Sequence, residues 1–356
     1  MQDQNSKLIR KIMLSYAVTF IIINLTDSLT MIADGMIVSQ GLGAKGLAAI
    51  GLADPSFKIV HLFSGVLAVG LQSMCSSAMG SGDRDKANRT FTAGMFAAIS
   101  ASVVLTVSFF AGTGLICNMF GADRDPEVYP HLYDYLKGWF TGIPGYVLFF
   151  TLVPLVNLDG NKKLVTAATF VQSVVNILGD YLSVFVFDGG TYGVGLSTGI
   201  AFNISAVMLL LNFARKRTAF KLFNTLPDFS TLPRTLSIGL PKITEQGCRI
   251  LAPLLINRTV LTVGGNLAMS AMSVKSSVFG FCVIIGNGVA ETVGLMTQIL
   301  YSEKDERSLL SMFKAGVGLM VTLDTLFSFL LFVFSGPETT CQELFRILVK
   351  KFTPGR

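Results

Sequence analysis

The stretch from residue 174 to 185, VVNILGDYLSVF, decides how the chain is read. It has the apolar character of a buried or lipid-facing helix, yet Asn176 and Asp180 interrupt it four residues apart. That spacing places an amide and a carboxylate on one helix face. In a hydrocarbon core a carboxylate costs about 2.5 kcal/mol or more. A lone mistake there would be selected away, so the pair points to a polar interior that the rest of the chain has to supply.

Working outward, the composition places that interior within a membrane. Of 356 residues, 51% are hydrophobic and 14% charged, and the mean hydropathy is +0.60. These values lie outside the range of soluble domains and within that of multi-spanning membrane proteins. The formal charge of +6 is spread singly or in small groups between apolar runs, which excludes a nucleic-acid partner and leaves the surplus as a topology signal. The five cysteines (Cys75, Cys117, Cys248, Cys282 and Cys341) form no C-x-x-C pair. Neither a disulfide framework nor a zinc site is expected, and the thiols are read as small core residues. The first apolar run lacks a small-residue cleavage site and reads as a membrane helix, not a signal peptide.

Apolar runs of about 20 residues or more, long enough to cross roughly 30 Å of hydrocarbon, recur nine times. They fall at 12–39, 46–79, 90–118, 132–156, 164–187, 191–213, 236–263, 267–301 and 309–335. Basic residues occupy alternate loops: Lys7, Arg10 and Lys11; Arg84, Lys86 and Arg89; Lys162 and Lys163; Arg215 to Arg217, Lys221 and Arg234; Lys304 and Arg307. The positive-inside rule therefore predicts a cytoplasmic N-terminus and a multi-pass protein of the bacterial inner (plasma) membrane. The tail breaks the pattern, because Arg346, Lys350, Lys351 and Arg356 would follow an odd number of crossings.

A loose internal repeat accounts for that exception. VGLQSMCSSAMGSGDRDKANRTFTAG (69–94) recurs as VGLMTQILYSEKDERSLLSMFKAG (293–316), and IVSQGLGAKGLAAIGLA (37–53) as VLTVGGNLAMSAMSV (260–274). Spans one to three thus correspond to spans seven to nine, a six-helix repeat whose halves are related by an axis along the membrane normal. The expected fold is all-α and polytopic: a six-helix lobe over 1–217, a cytoplasmic linker over 218–235, three helices of a second lobe over 236–335 and a tail over 336–356. On this reading the chain is truncated after its ninth helix.

Depth follows from a rise of 1.5 Å per residue. Asp34, Asp180 and Thr198 each lie seven or eight residues in from the outer end of their spans, on the order of 10 to 12 Å deep. Asn176 is one turn deeper on the face of Asp180. Two carboxylates, an amide oxygen and a hydroxyl form an all-oxygen set suited to a hard cation or to a shared proton. The competing reading is that each polar group is capped separately by a neighbouring helix.

At this point the chain resembles a known family. ADGMIVSQGLGAKGLAAIGLADP, GNKKLVTAATFVQSVVNILGDYL, GVGLSTGIAFNIS and IGLPKITEQ, in that order, are similar to multidrug and toxic compound extrusion (MATE) transporters of the bacterial and archaeal branch. The resemblance runs through nearly all of residues 8–335. It implies twelve helices in two lobes, exchange of Na⁺ or H⁺ for organic cations, and a cation site formed by Asp34, Asn176, Asp180 and Thr198. Two departures accompany it. The loop after the fourth helix has Asn157 and Gly160 where the family has Arg-x-x-Gly, so a loop contact is expected to be lost. The repeat also places Asn257 where the first lobe has Asp34.

Other intramembrane charges are read first as ion pairs. Asp27 and Lys58 fall at one depth on consecutive spans; Glu245 and Arg249 are spaced i,i+4, with Glu291 at about the level of Glu245. The last three form either a buried salt-bridge cluster or the second wall of a cavity. GLSTG (195–199) fits the G-x-S-x-G pattern of serine hydrolases, but His61 and His131 lie far from the level of Ser197. The small residues are better explained by close helix packing. The chain is therefore expected not to be an enzyme, and no organic cofactor is expected beyond Na⁺ or H⁺ as coupling ion. Trp139, Tyr146, Phe149, Phe150, Phe279, Phe281 and Met296 are read mainly as core or lipid contacts, Trp139 nearer an interface, with a few lining a pocket for flat cations. The function expected is cation-coupled export of organic, cationic, drug-like compounds. The rivals are a flippase for lipid-linked precursors, which would need a more basic cavity, and a non-transporting fragment.

Overall fold

A computed structural model describes the backbone of residues 2–214, 218–221, 226–302 and 306–334. Among these residues the regular structure is entirely helical. The elements are α1 (Gln2–Gly41), α2 (Gly43–Gly80), α3 (Arg84–Ala111), α4 (Thr113–Met119), α5 (Val128–Phe140), α6 (Ile143–Leu158), α7 (Lys162–Phe185), α8 (Gly190–Leu210), α9 (Leu232–Gly239), α10 (Pro241–Ser302) and α11 (Glu306–Phe334). Helices α1, α2, α3, α7, α8 and α11 contain described stretches long and apolar enough to cross a membrane, and α5 with α6 forms a further, broken span.

Two expected spans are interrupted. The third ends at Gly112, and residues up to 119 form the separate short helix α4. The fourth is bent by 55° between α5 and α6, because Pro144 in the first turn of α6 has no N–H to continue the ladder of α5. The bend also suits packing: a Cβ on Gly142 would fall 2.2 Å from Gly199 Cα, so the backbones touch where the helix breaks.

Polarity in α7 is inverted relative to a soluble helix. Thr169, Gln172, Ser173, Asn176 and Asp180 are buried, whereas Phe170, Leu178, Tyr181, Leu182 and Phe185 are exposed. The apolar side thus faces outward, where lipid and not water would be the solvent, and the polar stripe faces other helices. Close approach of those helices depends on missing side chains. A Cβ on Gly138 would lie 2.2 Å from Tyr192 O, and one on Gly195 2.2 Å from Tyr135 O. Gly138 and Gly142 on the α5 side, and Gly195 and Gly199 on α8, are two facing small-xxx-small motifs. GLSTG is therefore a packing motif. Trp139 sits inside this seam, fully buried with its ring centroid 4.1 Å from that of Phe57. It is not at an interface, because the α5–α8 contact turns it toward α2.

The helix α10 carries the seventh and eighth expected spans. In a straight helix the 38 residues between Arg249 and Asn287 would span about 57 Å, yet Arg249 Nη2 donates to Asn287 Oδ1 at 3.3 Å. The helix therefore doubles back between these residues and its two legs lie side by side. The first leg and α9 run against α2, where Gly239 meets Val66 O and Gly70 meets Thr235 O at 2.0 and 2.1 Å from an added Cβ. The second leg crosses α1 at Gly288, against the Ile21 backbone.

The segment after α8, expected as a linker over 218–235, is partly docked. Phe220 is fully buried against Phe91 and Phe213. Asp159 Oδ1 accepts from the Ala219 amide at 2.6 Å, and Asn88 Oδ1 from the Lys221 amide at 2.9 Å. The loop contact expected to be lost without the family arginine is thus replaced by one through Asp159, while Gly160 keeps the left-handed turn at φ +82°. Of the cysteines, Cys75 and Cys117 are buried as expected but Cys248 is exposed, since it falls on the outward side of the first leg of α10. The tail 336–356 lies outside the described residues.

Gly195→Ala should lower the melting temperature of the detergent-solubilised chain, with overpacking costing about 1 to 3 kcal/mol. Gly51→Ala, with no heavy atom within 4 Å of its added Cβ, should leave it unchanged or raise it. Equal melting curves for the two variants would contradict the glycine seam.

Candidate cation site

The polar face of α7 ends in a cluster formed with α1, α5 and α8. Helix α1 reaches α7 where a Cβ on Gly41 would strike Val184. Two turns below Gly41 is Asp34, and one turn below Val184 is Asp180. The two carboxyl groups lie against each other. One oxygen of each, Asp34 Oδ1 and Asp180 Oδ2, is buried and accepts no hydrogen bond from the protein.

The remaining oxygens of the cluster are held from α8. Asn176 Nδ2 donates to Thr198 Oγ1 at 3.3 Å, and Thr198 Oγ1 donates in turn to Val194 O at 3.1 Å. The Ser197 hydroxyl bonds Asp180 Oδ1 and also lies 2.8 Å from Val194 O. Asp180 is fully buried, and Asn176, Ser197 and Thr198 are nearly so. Two facing carboxyl groups of this kind are satisfied only by a proton shared between them or by a cation that both can reach.

All four residues expected at the site are therefore in one place, and the level estimated from helix rise brings Asp34, Asp180 and Thr198 together. Two neighbours escaped the sequence reading. Ser197 had been considered as a nucleophile and set aside. Tyr135, buried on α5, has its hydroxyl facing Thr198 with both carboxylates nearby. The signal for Tyr135 was available only as part of the G-x-x-x-G seam, which brings α5 against α8.

The other charges need correction. Lys58 pairs at 2.5 Å with Asp54 one turn earlier on α2, not with Asp27. A partner on the same helix needs no interhelical approach, and the i,i+4 geometry is met automatically. Asp27 instead lies within electrostatic range of Tyr146 on α6 and Glu291 on α10. Glu245 does bond Arg249, at 3.2 Å, and also Lys242, at 2.8 Å. The pair is not buried, however: the Glu245 and Arg249 side chains are 44% and 52% exposed, because the hairpin legs leave a cleft open against α1 and α2.

That cleft has a defined lining. Glu291 faces Asn24 and Asp27 on α1, with Lys242 and Arg249 nearby. His61 Nδ1 lies 3.4 Å from the Tyr146 hydroxyl, and its ring meets Phe150 edge-on at 4.8 Å. Tyr146 and Phe149 are core residues packed on Phe202, the first tilted and the second edge-on, and Met296 packs in a separate cluster with Met13, Leu300 and Met312. The side chains of Asn257, Phe279 and Phe281 lie outside the described residues. His61 is engaged with Tyr146, and the side-chain partner of the Ser197 hydroxyl is Asp180.

Comparison with known proteins agrees with this architecture. Residues 20–182 match the MatE family. The multidrug export protein MepA of Staphylococcus haemolyticus is 24% identical over 259 residues, covering 72% of this chain and 56% of the relative. The probable multidrug resistance protein NorM of Agrobacterium fabrum is 27% identical over 271 residues, covering 73% of this chain and 57% of the relative. The crystal structure of a MATE mutant is similar with a TM-score of 0.81 at 20% identity, over 91% of this chain and 73% of that one; this likeness establishes the fold. The chain spans a little over half the length of the curated relatives it matches. Residues 20–182 thus match the MatE family, and the chain is similar to multidrug export and resistance proteins in sequence and to MATE transporters in fold.

Proposed function

We propose that this chain is the cation-coupled part of an exporter of organic cations. Binding of Na⁺ or H⁺ between Asp34 and Asp180 would drive rearrangement of a first lobe, residues 1–217, joined through 218–235 to helices of a second lobe at 236–335. The observation that carries this reading is that two carboxyl groups lie against each other and each keeps one buried oxygen without a donor. Asn176 and Thr198 complete an oxygen set for a hard cation, and Tyr135 adds a hydroxyl. The names of the curated relatives, export and resistance proteins, support the same class of activity.

Loading the site neutralises charge at hydrocarbon depth, so occupancy changes how favourably α1 and α7 pack there. Helix α1 also borders the cleft through Asn24 and Asp27, which links the two places by one rigid element. In that cleft the acids Asp27, Glu245 and Glu291 outnumber the bases Lys242 and Arg249 among the described residues. His61, Tyr146 and Phe150 supply aromatic surface beside them. This balance suits a flat cation held by carboxylate and ring and disfavours the phosphorylated substrate of a flippase. The membrane would be the bacterial inner membrane, with the N-terminus in the cytoplasm.

In proteoliposomes holding the chain under an imposed Na⁺ or pH gradient, Asp180→Asn should reduce export of ethidium to the protein-free rate. Its melting temperature should hold, since an amide replaces a buried charge. Efflux of the variant equal to that of the unsubstituted chain would sink the assignment. Asp27→Asn should leave the cation dependence unchanged and raise the KM for ethidium several-fold; an unaltered KM would remove Asp27 from the substrate path.

A further inference from the structure

We propose that Ser197 is a positioning residue of the cation site, acting through Asp180; this rests on the reading of Asp34 and Asp180 as the cation-binding pair. Ser197 is nearly buried, and its single hydroxyl proton has two acceptors within reach, Asp180 Oδ1 and, at 2.8 Å, Val194 O; the ionised carboxylate is the stronger of the two. When that proton is given to Asp180, the carboxylate is tied by one oxygen to the Ser197 side chain of α8. Its other oxygen, Oδ2, is the one left without a donor, and the Asp34 carboxyl group lies against that of Asp180. A carboxylate free to rotate would expose either oxygen in turn. Pinned at Oδ1, it offers Oδ2 in one orientation.

The fold keeps room for this contact. A Cβ on Gly179, the residue before Asp180, would lie 2.6 Å from Ser197 Cβ. Glycine at 179 therefore lets α8 bring Ser197 against Asp180, and alanine there would push it away. The role differs from that of Thr198, whose hydroxyl serves Asn176. It also accounts for the serine inside GLSTG, where the glycines act in packing and the serine acts on Asp180. Ser197 thus tunes how tightly Asp180 holds its cation without contacting substrate in the cleft.

The test uses the full 356-residue chain in detergent micelles. A hydrophobic carbodiimide, which reacts with protonated carboxyls, labels Asp180, and mass spectrometry reads the yield against pH and against Na⁺ concentration. A charge-assisted hydrogen bond holding a buried carboxylate is worth about a tenfold change in an equilibrium constant. Ser197→Ala should therefore raise the Na⁺ concentration giving half-protection about tenfold, or displace the pH midpoint by about one unit where the proton is the ligand. Ser197→Thr should restore the original value and Gly179→Ala should mimic Ser197→Ala. Helix content and melting temperature, measured on each variant, separate this from misfolding, which Ser197→Thr would not rescue. Half-protection and midpoint unchanged in Ser197→Ala would overturn the role of Ser197 alone. Labelling of Asp180 that ignores both pH and Na⁺ in the unsubstituted chain would overturn the cation site itself.

Discussion

Two carboxyl groups meeting inside a helical membrane protein constrain everything around them. Asp34 and Asp180 come from α1 and α7, and like charges at contact inside a medium of low polarity would repel strongly. The fold tolerates them only if a proton or a cation sits between them and if neighbouring groups satisfy the remaining oxygens. Ser197 does the latter for Asp180 from α8, and Asn176, Thr198 and Tyr135 bond one another beside it from α7, α8 and α5. Four helices must therefore converge at one depth, and their packing is subordinate to that requirement.

Glycine supplies the convergence. Where α5 and α6 cross α8, and where α9 and α10 cross α2 and α1, backbone meets backbone at positions that no side chain could occupy. In lipid there is little hydrophobic gain from bringing helices together, so van der Waals contact along such seams carries the association. The same seam breaks the fourth span: Gly142 against Gly199 sits beside Pro144, and the resulting bend turns Tyr135 and Trp139 inward while α6 continues toward the cleft. A motif with the form of a hydrolase signature is in this setting a helix-crossing motif whose serine serves a carboxylate.

The cleft against the α10 hairpin has a different electrostatic character. Glu245 bridges Lys242 and Arg249 along one leg, leaving one net positive charge there and all three side chains partly exposed, while Asp27 and Glu291 add two acids from α1 and the other leg. Pairs as exposed as these contribute little stability, which is compatible with a surface that must open and close. The buried site and the exposed cleft share α1, so a change in charge at Asp34 has a rigid path to Asp27, two turns away on the same helix. The docked segment around Phe220 and Asp159 holds the chain close to the first six spans before it enters α9.

Membrane character, the six crossings up to residue 213, the level of Asp34, Asp180 and Thr198 and the pairing of Glu245 with Arg249 were legible in the sequence. Each depends on a local rule, either the length and polarity of a run or a fixed rise per residue. Ser197 and Tyr135 were not legible as members of the site, because their place depends on which glycine faces which backbone across α5, α7 and α8. Lys58 shows the converse: depth allowed Asp27 as partner on another helix, but Asp54, four residues earlier on α2, meets it without any helix crossing. Helix rise sets how deep a side chain lies, a one-dimensional quantity carried by the chain itself. Azimuth, which decides whether two side chains at that depth touch, is set by helix crossings, and those exist only once the helices have packed.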